Sequence, residues 1–153
     1  SSIRKKKLYI CGTRDTKDEV LSYQQKDSRI KYFGQIKREE ALSLQKGAKL
    51  LINPRTPEGE FTKYSFPSKT MEYLASGVPT LLYELPGIPE EYFKYCYTLK
   101  DISIPTLTKK IEEILSLGEE ERIRKGQLAQ QFILENKTPE PQMSKVYEFL
   151  NTL

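Results

Sequence analysis

The residues best suited to do chemistry in this sequence are a polar triplet at the start of a helix and a carboxylate one turn further in. Both lie in the segment YSFPSKTMEYLASGVPTLLY, Tyr64 to Tyr83. Pro67 suits a first helical position, because its ring nitrogen has no N–H to leave unbonded. The amides of Ser68, Lys69 and Thr70 then lack intrahelical partners, and such a helix start attracts anions. The Lys69 ammonium adds a point charge suited to phosphate. Glu72 follows, and a carboxylate there can accept both hydroxyls of a ribose cis-diol whose phosphates rest on the helix end. The same residues also have a plain structural reading. Helices often start on Pro and Ser, and a carboxylate in the first turns favours the helix dipole with no ligand present. Gly77 and Pro79 read as an ordinary helix stop.

The elements around this segment alternate. KLYIC, Lys7 to Cys11, reads as a strand closed by Gly12, and RIKYF, Arg29 to Phe33, as a second closed by Gly34. Between them Thr16 to Lys26 reads as a polar helix, with Thr16 and Glu19 in capping-box spacing. A helix is expected over Lys37 to Lys46, with Ala41, Leu42 and Leu44 on its inner side, then a buried strand over Ala48 to Asn53. The loop PRTPEGEFTKY leads to the Pro67–Ser76 helix and the strand Pro79 to Tyr83. Short strands alternating with helices predict an α/β fold, a Rossmann-like parallel sheet with flanking helices. Gly12 and Gly34 then sit at carboxyl strand ends, where open parallel sheets bind ligands. A weak strand is expected at Cys96 to Leu99. C-terminal helices follow over Thr108–Leu117, Glu119–Glu135 and Gln142–Leu150, with Pro139 and Pro141 breaking the chain before the last.

Composition narrows the function classes. The chain has 153 residues, a length suited to a single domain over 1–153. It is 37% hydrophobic and 30% charged, a globular composition. There is no histidine, so a zinc site built on histidine or a histidine-dependent triad is excluded, and no metal site is expected. The two cysteines, Cys11 and Cys96, lack metal-ligand spacing and read as two buried reduced thiols. The net charge of +4 is concentrated in Arg4–Lys7, either a solvated start or a face toward anionic lipid. Aromatic and basic residues do not alternate as a nucleic-acid stacking platform would require, so no nucleic-acid partner is expected. No apolar run reaches the roughly 18 residues of a membrane span. The N-terminal SSIRKKKLYI lacks a signal-peptide pattern, which reads as cytoplasmic.

SFPSKTMEYLASGVP resembles the donor-site segment of GT-B fold glycosyltransferases, specifically retaining family-4-type enzymes of bacterial polysaccharide assembly. LYICG, RIKYFGQI and AKLLINPR are similar to the strand ends of that family's C-terminal, nucleotide-sugar-binding domain, in the same order, and GIPEEY also fits. The resemblance implies one half of a GT-B fold. It implies that Glu72 binds the ribose diol and that the amides at Ser68, Lys69 and Thr70 hold the diphosphate. It further implies that the main chain at Gln35 and Ile36 clasps the base and that Asn53 and Arg55 face the sugar and phosphates; Gly12, at a strand end, and Tyr64, in the place of the family's sugar-contacting glutamate, are added as candidate donor-site residues. The implied substrates are a nucleoside-diphosphate sugar, with UDP the family's most frequent nucleotide and GDP open, and a saccharide or lipid-linked acceptor. No separate cofactor is implied. Peripheral association with the inner membrane face is typical of the resemblance.

The sequence departs from the family at two places. The family's usual first glutamate, eight positions before Glu72, is Tyr64 here, and Glu58 or Glu60 is the nearest substitute. The family's first strand of this domain, with its glycine-rich turn, and the N-terminal acceptor domain have no counterpart in the sequence. The missing strand is usually central in the sheet, so the chain is expected to be either a fragment, inactive alone, or one whose strands rearrange or swap to fill the gap. Two further readings stay open: a non-catalytic nucleotide-binding or interaction module, and an epimerase-like enzyme of the same architecture.

Overall fold

Strands and helices alternate as the sequence predicts, and every strand pairing is parallel. The computed structural model describes residues 2–12, 16–58, 68–136, 148–149 and 151–152. A short 3-10 turn at Ser2–Lys5 leads into β1 (Leu8–Cys11), α1 (Lys17–Lys26), β2 (Ile30–Gly34), α2 (Arg38–Gly47) and β3 (Leu51–Asn53). After the loop come α3 (Ser68–Ala75), β4 (Thr80–Tyr83), a 3-10 turn at Glu90–Tyr95, β5 (Tyr97–Leu99), α4 (Ile104–Ser116) and α5 (Glu119–Asn136). The helix expected over Gln142–Leu150, with Pro139 and Pro141, lies largely outside the described residues.

The strands form two sheets rather than one. β1 pairs with β2, β3 with β4 and β4 with β5, and among the described residues no ladder joins β1 to β3. β4 sits between two parallel partners, and its four residues Thr80–Tyr83 are all buried. A strand covered on both faces reads as a near-continuous apolar run, as Leu81–Tyr83 does, and the buried Thr80 hydroxyl donates to Val78 O at 3.2 Å. Leu81 and Leu82, at 1% and 2% exposure, each stabilise the fold by roughly 1.5–3 kcal/mol through burial alone.

The helices account for the rest of the packing. α5 lies across α3 and the Glu90–Tyr95 turn. Phe132 stacks on Tyr95 at 4.3 Å and meets Tyr92 edge-on at 5.3 Å. Gly126 lets α5 approach the α3–β4 connection closely, since a Cβ there would lie 2.8 Å from the Gly77 carbonyl carbon and 2.9 Å from Pro79 N.

Three local expectations change. The side chain of Thr16 makes no cap hydrogen bond, and its φ of −91° and ψ of 11° are not the extended geometry a capping box needs. β3 begins only at Leu51, because Ala48 is used to close α2, donating its N–H to Gln45 O at 3.1 Å. α4 begins at Ile104 rather than Thr108. The Ser103 hydroxyl accepts from Thr106 N at 3.4 Å, and Pro105 is tolerated within the first turn.

Candidate functional site

The site is built on α3. Thr70 and Leu74, one turn apart, face inward with no exposed surface, and Ala75 is equally buried. The far end of the helix is anchored by α5. Gln130 Nε2 donates to the Ala75 carbonyl at 2.9 Å, satisfying one of the carbonyls a helix end leaves open. Gly77 then turns the chain with φ +79°, a left-handed conformation that favours glycine. This anchoring holds the start of α3, at Ser68, toward the carboxyl ends of the strands.

Glu72 is 6% exposed, and three side chains converge on its carboxylate. Gln45 Nε2 donates to Oε1 at 2.7 Å, and Lys69 Nζ reaches the same oxygen at 3.3 Å. Arg38 Nη2 reaches Oε2 at 3.3 Å. A buried carboxylate needs such compensation, because an unpaired charge out of water is costly. The two cations differ from the amide in exposure. The Arg38 and Lys69 side chains are 50% and 58% exposed, whereas Gln45 is 9% exposed. One buried carboxylate thus sits under two solvent-facing cations at a helix start.

The strand ends complete the surroundings. Asn53, the last residue of β3, donates from Nδ2 to Thr70 Oγ1 at 3.4 Å and accepts at Oδ1 from Arg55 N at 3.2 Å. Asn53 therefore joins the β3 end to the first turn of α3. At the end of β1, Gly12 donates to Gly34 O at 2.8 Å, and its carbonyl accepts from the Tyr32 hydroxyl at 2.6 Å. Gly12 and Gly34 have φ of +116° and +67°. Neighbouring Cys11 lies within electrostatic reach of Lys69: burial pushes its thiol up and the ammonium draws it partly back.

Of the residues singled out in the sequence, Asn53, Lys69, Thr70 and Glu72 form one connected group, with Arg55 attached through Asn53. Ser68 opens the helix, and Gly12 lies at the neighbouring strand end. Gln35 is exposed and Ile36 half-buried in the short link from β2 to α2. They precede Arg38, the residue through which α2 begins its approach to Glu72. Tyr64 and Glu60 lie outside the described residues, and Glu58 is exposed. Two members of the carboxylate cluster escaped the sequence reading, Arg38 and Gln45. Their signal was a helical stripe: Arg38, Leu42 and Gln45 recur at i, i+4 and i+7, and Leu42 is buried. A glutamine in line with a core leucine marks a polar group brought inside.

No helix among the described residues is long and apolar enough to cross a membrane. No curated protein matches the chain. The fold is similar to that in "Crystal Structure of TarM", with a TM-score of 0.68 and 17% sequence identity. That similarity covers 95% of this chain and 28% of the TarM chain, so the present chain spans little more than a quarter of that protein's length. The family model described as "Glycosyl transferases group 1" matches residues 1–116. With parallel strands flanked by helices in a GT-B arrangement and a family match over most of its length, the chain belongs to the group 1 glycosyl transferases.

Proposed function

We propose that this chain is the donor-binding part of a retaining hexosyltransferase that uses a nucleoside-diphosphate sugar. The observation that carries the proposal is the buried carboxylate of Glu72, one turn inside a helix start and flanked by Lys69 and Arg38. Glu72 accepts the two ribose hydroxyls. The amides of Ser68, Lys69 and Thr70, with the Lys69 ammonium, take the diphosphate. The main chain at Gln35 and Ile36 meets the base, for which UDP is the first choice and GDP the second. Gly12, Asn53, Arg55 and Tyr64 border the sugar and phosphates.

This arrangement favours departure of the nucleoside diphosphate. In this reading the helix-start amides and the Lys69 ammonium meet the oxygen on which charge develops as the glycosidic bond breaks. The acceptor in this reading is a saccharide or lipid-linked saccharide of cell-surface polysaccharide synthesis, bound by a second domain at the cytoplasmic face of a membrane. A non-catalytic nucleotide-binding module is the second reading, favoured by Tyr64 standing where the family usually has a glutamate.

Calorimetric titration with UDP and GDP tests the donor-binding part of the reading. Glu72→Ala is expected to weaken the preferred nucleotide by about tenfold or more, as loss of a hydrogen-bonding carboxylate does. Equal affinity of wild type and Glu72→Ala contradicts the proposal. Transfer of hexose from the bound donor, once an acceptor domain is present, separates the enzyme from the non-catalytic module.

A further inference from the structure

The carboxylate cluster contains one member whose geometry goes beyond neutralising a charge. Gln45 is nine-tenths buried on α2, and its Nε2 donates to Glu72 Oε1 at 2.7 Å, the shortest of the three contacts to that carboxylate. Its own Oε1 is buried without a hydrogen-bond partner among the described residues. The amide cannot be turned over to relieve this. Rotation would set the amide oxygen against the carboxylate oxygen and bury two unpaired N–H groups instead. A leucine at 45 would extend the buried stripe of Leu42 with no orphaned oxygen. The amide is therefore costly as packing and informative as a donor.

Counting acceptor sites separates Gln45 from its neighbours. Each carboxylate oxygen offers about two lone-pair directions. Glu72 Oε1 receives Gln45 and Lys69, and Oε2 receives Arg38, so one direction is open. A cis-diol needs two. The exposed Lys69 or Arg38 can swing aside into water at little cost, because each already shows half or more of its side chain. Gln45 has no solvent to move into. A diol approaching Glu72 replaces a cation and leaves the buried amide in place.

We infer that Gln45 is a positioning residue for the donor site: its buried amide fixes the Glu72 carboxylate so that two adjacent hydroxyls meet it at once, while Arg38 and Lys69 are exchangeable partners. This rests on the proposed nucleotide reading of Glu72. Its signature is selective. Loss of the Gln45 amide impairs recognition of the diol and leaves the phosphate contacts at the start of α3 untouched.

The test is calorimetry of the full chain with UDP and 2′-deoxy-UDP, for wild type, Glu72→Ala, Gln45→Met and Gln45→Asn. Methionine keeps the volume without the donor, and asparagine keeps the amide but withdraws it by one methylene, so the pair guards against a variant that fails to fold. Wild type is expected to prefer UDP by about tenfold, and each Gln45 variant to bring that preference close to one with 2′-deoxy-UDP affinity changed less than about twofold. A preference lost in Glu72→Ala but intact in both Gln45 variants overturns the positioning role and leaves the nucleotide reading standing. Equal affinity for the ribo and 2′-deoxy forms in wild type, or no binding at millimolar concentration of either UDP or GDP, overturns the nucleotide reading and this inference with it.

Discussion

The two sheets of this molecule share a topology and differ in burial. β4 is buried along its whole length between β3 and β5. β1 pairs only with β2 among the described residues, and its Leu8 and Tyr9 are 47% and 48% exposed. The main buried cluster runs from Leu74 to Ile133, and neither β1, α1 nor β2 contributes to it. α1 buries no residue, whereas α5 buries Gly126, Ala129, Phe132 and Ile133. A parallel strand gains stability from neighbours on both sides and cover on both faces. By that standard the β3–β4–β5 layer is a core and the β1–β2 pair lies outside it, tied within itself to α1, where Gln24 Oε1 accepts from Tyr32 N at 2.6 Å. The carboxylate cluster forms where α2, the helix after β2, brings Arg38 and Gln45 to Glu72 on α3, the helix before β4. The site is thus supported firmly on one side and loosely on the other.

The comparison breaks most easily at a pair of leucines. Leu81→Ala in β4 is expected to cost about 2–5 kcal/mol, the range for a core leucine, and Leu8→Ala in β1 less than about 1 kcal/mol. Urea unfolding of the two variants reads both values, and equal losses would show that β1 belongs to the same core. The glycines with positive φ give a smaller contrast. Gly77→Ala and Gly34→Ala each carry roughly 1–2 kcal/mol of left-handed strain. A Cβ at 77 also comes within 3.2 Å of Gln130 Oε1, whereas one at 34 meets only a Tyr32 ring carbon at 4.0 Å. Thermal melts should therefore place Gly77→Ala below Gly34→Ala.

The cysteines sharpen the contrast without changing stability. Cys96 is buried, as expected, and its thiol is pushed up to about 12 by that burial, while Cys11, expected to be buried too, is exposed because β1 pairs only with β2 among the described residues. A maleimide at pH 8 is expected to label Cys11 at least roughly a hundredfold faster than Cys96 in the folded protein, and both at similar rates in denaturant. The smallest effect concerns the entry to β2. Arg29 holds the Asp27 carboxyl down at about 2, chiefly by hydrogen bonding from its side chain. A depressed carboxyl stabilises the fold at pH values above its ordinary 3.8 and loses that contribution as pH falls from there toward 2. Asp27→Asn should lower the melting temperature slightly at pH 7, with a difference that shrinks as pH falls from about 3.8 through about 2. A constant difference across that range would contradict the assignment.

Much of this was legible in the sequence because local signals agreed with tertiary need. TLLY is apolar over Leu81–Tyr83 and became the central buried strand, and Gly12, Gly34 and Gly77 ended their elements with positive φ. Glu72 was visible from its place after Pro67-Ser68-Lys69. Its partners were less so, since Arg38 and Gln45 are 34 and 27 positions away and join it only when α2 packs toward α3. The family resemblance left open whether the sheet would carry a gap or its strands would rearrange to fill it, and the strands form two sheets. KLYIC reads like any buried strand, and exposure of Leu8 and Tyr9 depends on what lies beside the strand rather than on its residues. Likewise the Thr16–Glu19 spacing signalled a cap, but the backbone entering α1 does not present the Thr16 hydroxyl to it.

The central claim is that a nucleoside diphosphate binds where the two regions meet, with Glu72 on its ribose. Backbone-amide NMR of the chain titrated with UDP and with GDP tests it most directly, for wild type and Glu72→Ala. The account predicts shifts clustered at Gln35–Ile36 on one side and Ser68–Thr70 on the other, for one nucleotide more than the other, and strongly reduced in Glu72→Ala. Shifts confined elsewhere, or identical in wild type and Glu72→Ala, would contradict it.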